Sequence, residues 1–126
     1  MQSVIPLSVA ALISVAVIVM GCFYLVSPER VLGSFGLKPP ASDADTHAWL
    51  RLLGSRDIGC GLVVLAMMLA TDTRSTGIAL LAFSVMPLGD MAIVLGCGGS
   101  KTTAFSVHAL TCVVMVVVGL LLIHAI

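Results

Sequence analysis

Charge is what this sequence has least of. Only 10% of its 126 residues are charged, six basic and six acidic, while 60% are hydrophobic. A soluble domain carries about a quarter charged residues, and so few cannot coat a water-facing surface. Lipid is therefore the predicted solvent for most of the chain. The charges also cancel, which leaves no electrostatic footprint for nucleic acid. Cys22, Cys60, Cys97 and Cys112 show no C-x-x-C spacing. That pattern indicates neither a zinc site nor a dithiol centre and favours the cysteines as small packing residues. No metal site and no cofactor are predicted. The first run also lacks the positive n-region of a signal peptide and is longer than its apolar core of about 7–15 residues, so it is expected to remain as a true span.

What the chain does have is length of apolar run. Residues 1–28 contain no charged side chain, and 4–26 exceed the roughly 20 residues that cross a bilayer core. Further runs cover about 49–71, 75–97 and 103–126. Backbone hydrogen bonds in lipid must close within the segment, which favours helices. The expectation is an all-α, single-domain, four-helix transmembrane bundle over residues 1–126, a multi-pass integral membrane protein. Connections such as "TDTR" and "GGSK" are short, so neighbouring helices run antiparallel, up-down-up-down. The one sizeable loop, about 27–48, contains "PERVLGSFGL", amphipathic enough for a short surface helix, then "KPP", which ends it. Ser42 or Asp43 is the expected cap of the second span. Arg30, Lys38 and Lys101 fall on the side of the long loop and "GGSK", against Arg74 alone on the other. The positive-inside rule then places the long loop in the cytosol.

Counting depth singles out a few polar residues. At about 1.5 Å per residue, Asp57 lies roughly 5 Å, Asp90 roughly 6 Å and His108 about 10 Å from their helix centres. All three are displaced toward the long-loop side, as are Arg51, Tyr24 and Trp49. Gly54, Asp57 and Gly61 share one helix face, where a neighbouring helix can approach closely. Pro87 is expected to bend the third span one turn before Asp90, with Gly89 narrowing it there. An ionisable residue inside the membrane marks a functional site by default. Asp57, Asp90, Arg56 and His108 are therefore the catalytic candidates, with Tyr24, Trp49, Arg51 and Met86 as candidate substrate contacts. Competing structural readings stand beside them. Arg56 can form an ion pair that locks two helices, Arg51 can snorkel, and His108 can simply bond across helices. Tyr24, Trp49 and His124 can be interface residues.

The stretches "GSRDIGCGL" and "MPLGDMAIVL", followed by a histidine early in the last span, resemble a family of small four-helix membrane proteins related to the DoxX-like group. The resemblance runs from Leu50 onward, and Arg56, Asp57, Asp90 and His108 match its polar pattern. Some fungal relatives resemble polyketide-pathway enzymes that open polyene epoxides after a flavin monooxygenase. The resemblance thus implies a lipophilic polyene substrate, a functional partnership with a flavin monooxygenase and, for a fungal protein, an endoplasmic reticulum membrane.

Opening an epoxide needs a base for water or an internal hydroxyl, and an acid for the leaving oxygen. Two carboxylates in unlike surroundings divide those roles. The expectation is that Asp90 activates the nucleophile and Asp57 donates to the epoxide oxygen, or the two in swapped roles, while Arg56 bridges them and His108 orients the water or acts as alternate base, by analogy with the Asp–Arg–Asp set of limonene-epoxide-type hydrolases. Two other function classes compete. One is a proton-coupled transporter acting as a homodimer, although such proteins carry their key acid in the first helix, which has none here. The other is a non-catalytic membrane subunit.

Overall fold

A computed structural model describes residues 3–124. The chain folds as α1 (Val4–Val26), the single-turn α2 (Pro28–Val31), α3 (Ala44–Ala70), α4 (Thr73–Phe83), α5 (Val85–Gly96), the short α6 (Lys101–Thr103), a π-helical turn (Ala104–Ala109) and α7 (Leu110–His124). Four helical stretches are long and apolar enough to cross a membrane: Val4–Val26, Ala44–Ala70, Thr73–Gly96 and Lys101–His124. No strand occurs among the described residues. The expected all-α, four-span architecture is therefore the one observed. Residues 125 and 126 of the expected fourth span lie outside the described residues.

Local chemistry sets the helix ends. The second span starts at Ala44, ahead of the apolar run, because the Asp43 side chain accepts from Thr46 N at 2.8 Å and caps it. Asp72 does the same for α4, accepting from Ser75 N at 2.7 Å. Both carboxyls are held below their usual range, chiefly by these backbone hydrogen bonds to the charged form. The third span breaks between α4 and α5 at Ser84. Pro87 lies three residues on, where its ring clashes with the preceding turn and its missing N–H leaves a carbonyl free. Gly89 does not contribute as expected, because a Cβ added there would meet nothing within 4 Å. The surface helix expected in the long loop shrinks to the one turn of α2. The chain then turns through Leu32–Gly36, with Gly36 at φ 89°, a left-handed conformation that breaks helical register.

Two helix pairs make the bundle. The strongest packing joins α1 to α3 and α4 to α7, and glycines allow both approaches. A Cβ on Gly54 would stand 2.6 Å from Gly21 O, and one on Gly77 would stand 2.6 Å from Gly119 O. Lipid removes the hydrophobic drive between helices, so close backbone packing of small residues holds them. The pairs meet at one end over a core of Ala10, Val64, Leu80, Met115, Val118 and Leu122. Toward the long-loop end they separate and leave a chamber.

Candidate active site

The chamber has a volume of about 340 Å³, within the range of small-molecule sites. Its floor is the top of the core, Val64, Leu80 and Met115. Its two carboxyls and its imidazole converge from three elements: Asp57 from α3, Asp90 from α5 and His108 from the π turn; the uncharged Ser14 of α1, Cys60 of α3 and Thr111 of α7 also face it. No lysine or arginine lines it among the described residues.

Helical spacing explains Asp57. Leu53, Asp57, Cys60 and Val64 follow one another at three- and four-residue steps, and all line the chamber. The flanking Gly54 and Gly61 press on α1, the latter within 2.7 Å of Ser14 O for an added Cβ. Asp57 is thus fixed in depth by the close crossing of α1 and α3 and is partly buried. Asp90 sits one turn past the Pro87 bend, beside Met86 on the chamber wall. Met86 Sδ accepts a long contact from Cys60 Sγ at 3.9 Å, which ties α5 to α3.

His108 is buried. Its Nδ1 stands 3.8 Å from Asp90 Oδ2, and its Nε2 donates to the Phe35 backbone carbonyl at 3.0 Å. The Phe35 ring lies against the imidazole, centroids 4.9 Å apart. Phe35, in the loop after α2, therefore closes the chamber at its polar end. No motif or helical spacing singles it out in the sequence. Its only sequence signal is an aromatic beside a glycine in the loop on the same side as the buried acids.

Arg56 is placed elsewhere. It is exposed on the outer face of α3 and does not line the chamber. Among the described residues the ion pair within 4 Å is His108–Asp90, so neither the expected Arg56 bridge nor its ion pair with an aspartate forms. The reason is helical geometry: adjacent residues diverge around the axis and do not face the same neighbour. Inward orientation of Asp57 sends Arg56 outward, where its long stem can snorkel.

The remaining candidates divide. Met86 lines the chamber. Tyr24 is buried and donates to Ser34 Oγ at 3.1 Å, since the Ser34 hydroxyl is itself spent on Val31 O at 2.8 Å. Tyr24 lines a second cavity of about 350 Å³ under the loop, which shares Phe35 and Leu53 with the chamber as a common wall. Arg51 lines neither cavity; its Nε donates to Leu25 O at 3.3 Å and so satisfies a terminal carbonyl of α1. Trp49 is 71% exposed near the start of α3 and lines neither cavity. His124 is exposed at the far end.

A family model described as "Domain of unknown function (DUF4267)" matches residues 14–122. No curated protein and no solved structure matches the chain.

Proposed function

The chain belongs to the DUF4267 family, and from that premise we propose that it is a membrane-embedded enzyme that opens epoxides of lipophilic, polyketide-like substrates by acid–base chemistry. The observation that carries this reading is the convergence of Asp57, Asp90 and His108 on one largely apolar chamber that no lysine or arginine lines among the described residues. A net charge in such surroundings is costly. Neutrality of the set requires two protons over three sites, the two carboxyls and the free ring nitrogen of His108. One site is then always open to accept a proton while another is ready to donate.

Asp90, beside His108, takes a proton from water or from a hydroxyl of the substrate. The freed oxygen attacks an epoxide carbon, the carbon–oxygen bond breaks, and Asp57 gives its proton to the departing oxygen. Water as nucleophile yields a diol; an internal hydroxyl yields a ring ether. The proton gained by Asp90 returns to Asp57 through His108 or through water in the chamber, so each turnover restores the protein and consumes the epoxide, together with one water where a diol forms. Arg56 has no step in this scheme, because it lies outside the chamber. Met20 and Met86 both line the chamber and are exposed on the outer surface, at 42% and 39%. Their flexible side chains suit a lateral opening through which an apolar substrate leaves the bilayer. A flavin-dependent epoxidation is the class of reaction that supplies such a substrate, which fits a partnership with a flavin monooxygenase.

Turnover of lipophilic polyene epoxides by membranes carrying Asp57→Asn or Asp90→Asn tests the proposal. Each variant is expected to lose about 10²–10⁴-fold in kcat at unchanged protein level. Full activity in both variants ends it.

The position of Arg56 also favours a second reading. With no guanidinium in the chamber to hold the acids ionised, a cluster that exchanges protons suits proton-coupled transport, with a homodimer as its working unit. Proton-driven uptake of a lipophilic cation into liposomes, without consumption of epoxide, selects that reading.

A further inference from the structure

We infer that the loop after α2 is a working part of the site, because the Phe35 carbonyl fixes which nitrogen of His108 exchanges protons. A carbonyl oxygen can only accept. At 3.0 Å from Nε2, it requires the hydrogen there in both the neutral and the charged ring. Nδ1, 3.8 Å from Asp90 Oδ2, is left as the nitrogen that gains and loses a proton toward Asp90 and the chamber. Without this contact the imidazole is free to place its single hydrogen on Nδ1, which removes the acceptor from the side where Asp90 stands.

The loop is built to hold that position. Ser100 N donates to Gly36 O at 2.7 Å, which ties the loop to the start of the last span. Gly36, at φ 89°, packs so closely that an added Cβ would stand 2.8 Å from Thr103 Cβ. Tyr24 holds the preceding residue through Ser34 Oγ. The π turn serves the same contact. Thr103 touches Gly36 and His108 touches Phe35, five residues apart on one strand of chain. An ordinary α-helix turns such a pair to different sides, whereas π bonding, from residue i to i+5, brings them nearer to one side. Leu110 N, at the end of the turn, donates back to Phe105 O in that pattern. Loop and turn therefore form a matched pair, and Phe35 is a positioning residue that acts through His108.

The titratable groups around the ring are Asp90 from α5 and Asp57 and Cys60 from α3, all on the chamber wall. Among the described residues α1 contributes none to that wall, and no cation faces it. Proton exchange at Nδ1 thus occurs with carboxyls. The catalytic consequence rests on the epoxide-opening reading, but the tautomer does not, and the two are measured separately.

The experiment is long-range ¹⁵N–¹H correlation NMR of histidine-labelled full-length protein in lipid nanodiscs, recorded through the titration of His108 and above it. Assignment comes from the signal lost in His108→Gln. The neutral ring is expected to show a protonated Nε2 and a bare Nδ1. Phe35→Ala, which removes the ring contact, and Gly36→Ala, which strains the loop against Thr103, are expected to shift the neutral ring toward the other tautomer. With an epoxide substrate, both variants are also expected to lose about 10–100-fold in kcat, through misplacement of the acceptor, with KM within about twofold. A neutral wild-type ring protonated at Nδ1 overturns the inference. So does an unchanged tautomer in both loop variants. Intact tautomer behaviour with no epoxide turnover in any form leaves the inference standing and removes the epoxide reading instead.

Discussion

Alanine in place of Gly54 separates the packing that builds the chamber from ordinary helix propensity. A Cβ at this position would lie 2.6 Å from Gly21 O and 2.7 Å from Tyr24 Cβ. Neither neighbour is the far end of a flexible side chain. To restore ordinary contact, which begins near 3.4 Å, the backbones of α1 and α3 must part by about 0.8 Å at the crossing. Overpacking of this kind costs about 1–3 kcal/mol. Alanine also gains about 0.8–1.0 kcal/mol over glycine in a helix, which partly masks the cost. Gly59 supplies the control: it lies in the same helix, and a Cβ there meets nothing within 4 Å. Gly59→Ala should therefore show the propensity gain alone. The difference between the two variants cancels that gain and leaves the cost of the crossing. Equilibrium unfolding in mixed micelles, followed by circular dichroism, measures both. Gly54→Ala is expected to be less stable than Gly59→Ala by about 1–3 kcal/mol. Equal stability, or a more stable Gly54→Ala, refutes the backbone contact and with it the fixed depth of Asp57.

Two further outcomes follow from the placement of charged groups. Arg56→Gln should keep kcat on lipophilic epoxides within about twofold, because the side chain lies outside the chamber; a loss on the 10²-fold scale of an acid–base group would return Arg56 to the mechanism. Asp43 and Asp72 have carboxyls held below the usual 3.8 by backbone hydrogen bonds at helix starts. A lowered folded-state value contributes stability above the ordinary value and loses it as pH falls through the lowered one. The double variant Asp43→Ala, Asp72→Ala should therefore unfold more readily than wild type at pH 7. Its deficit should shrink below pH 3.8, as thermal melts at both ends of the range would show.

Much of this architecture was readable from one dimension because lipid imposes simple rules. Four long apolar runs can do little but form helices, and depth counted from short loops put Asp57, Asp90 and His108 at one end. Asp43 was a candidate cap from its residue type alone, and the bend at Pro87 followed from its missing N–H. Three features escaped for physical reasons. Arg56 and Asp57 are neighbours in sequence, yet a helix separates neighbours around its axis, so proximity in the chain suggested a partnership that the fold forbids. Phe35 lies where no periodicity operates. Its carbonyl, rather than its side chain, makes the polar contact, and a backbone atom leaves no signature in residue type. The π turn is equally silent, because "AFSVHA" differs in no obvious way from the apolar helix around it.

The most direct measurement is mass analysis of products after purified protein in nanodiscs meets a lipophilic polyene epoxide in ¹⁸O-labelled water. The epoxide is expected to disappear faster than in protein-free nanodiscs. The expected product is a diol carrying one labelled oxygen, or an unlabelled ring ether of unchanged mass. An epoxide that survives as long with the protein as without it, across substrates of differing length, contradicts the assignment of acid–base catalysis to this chamber.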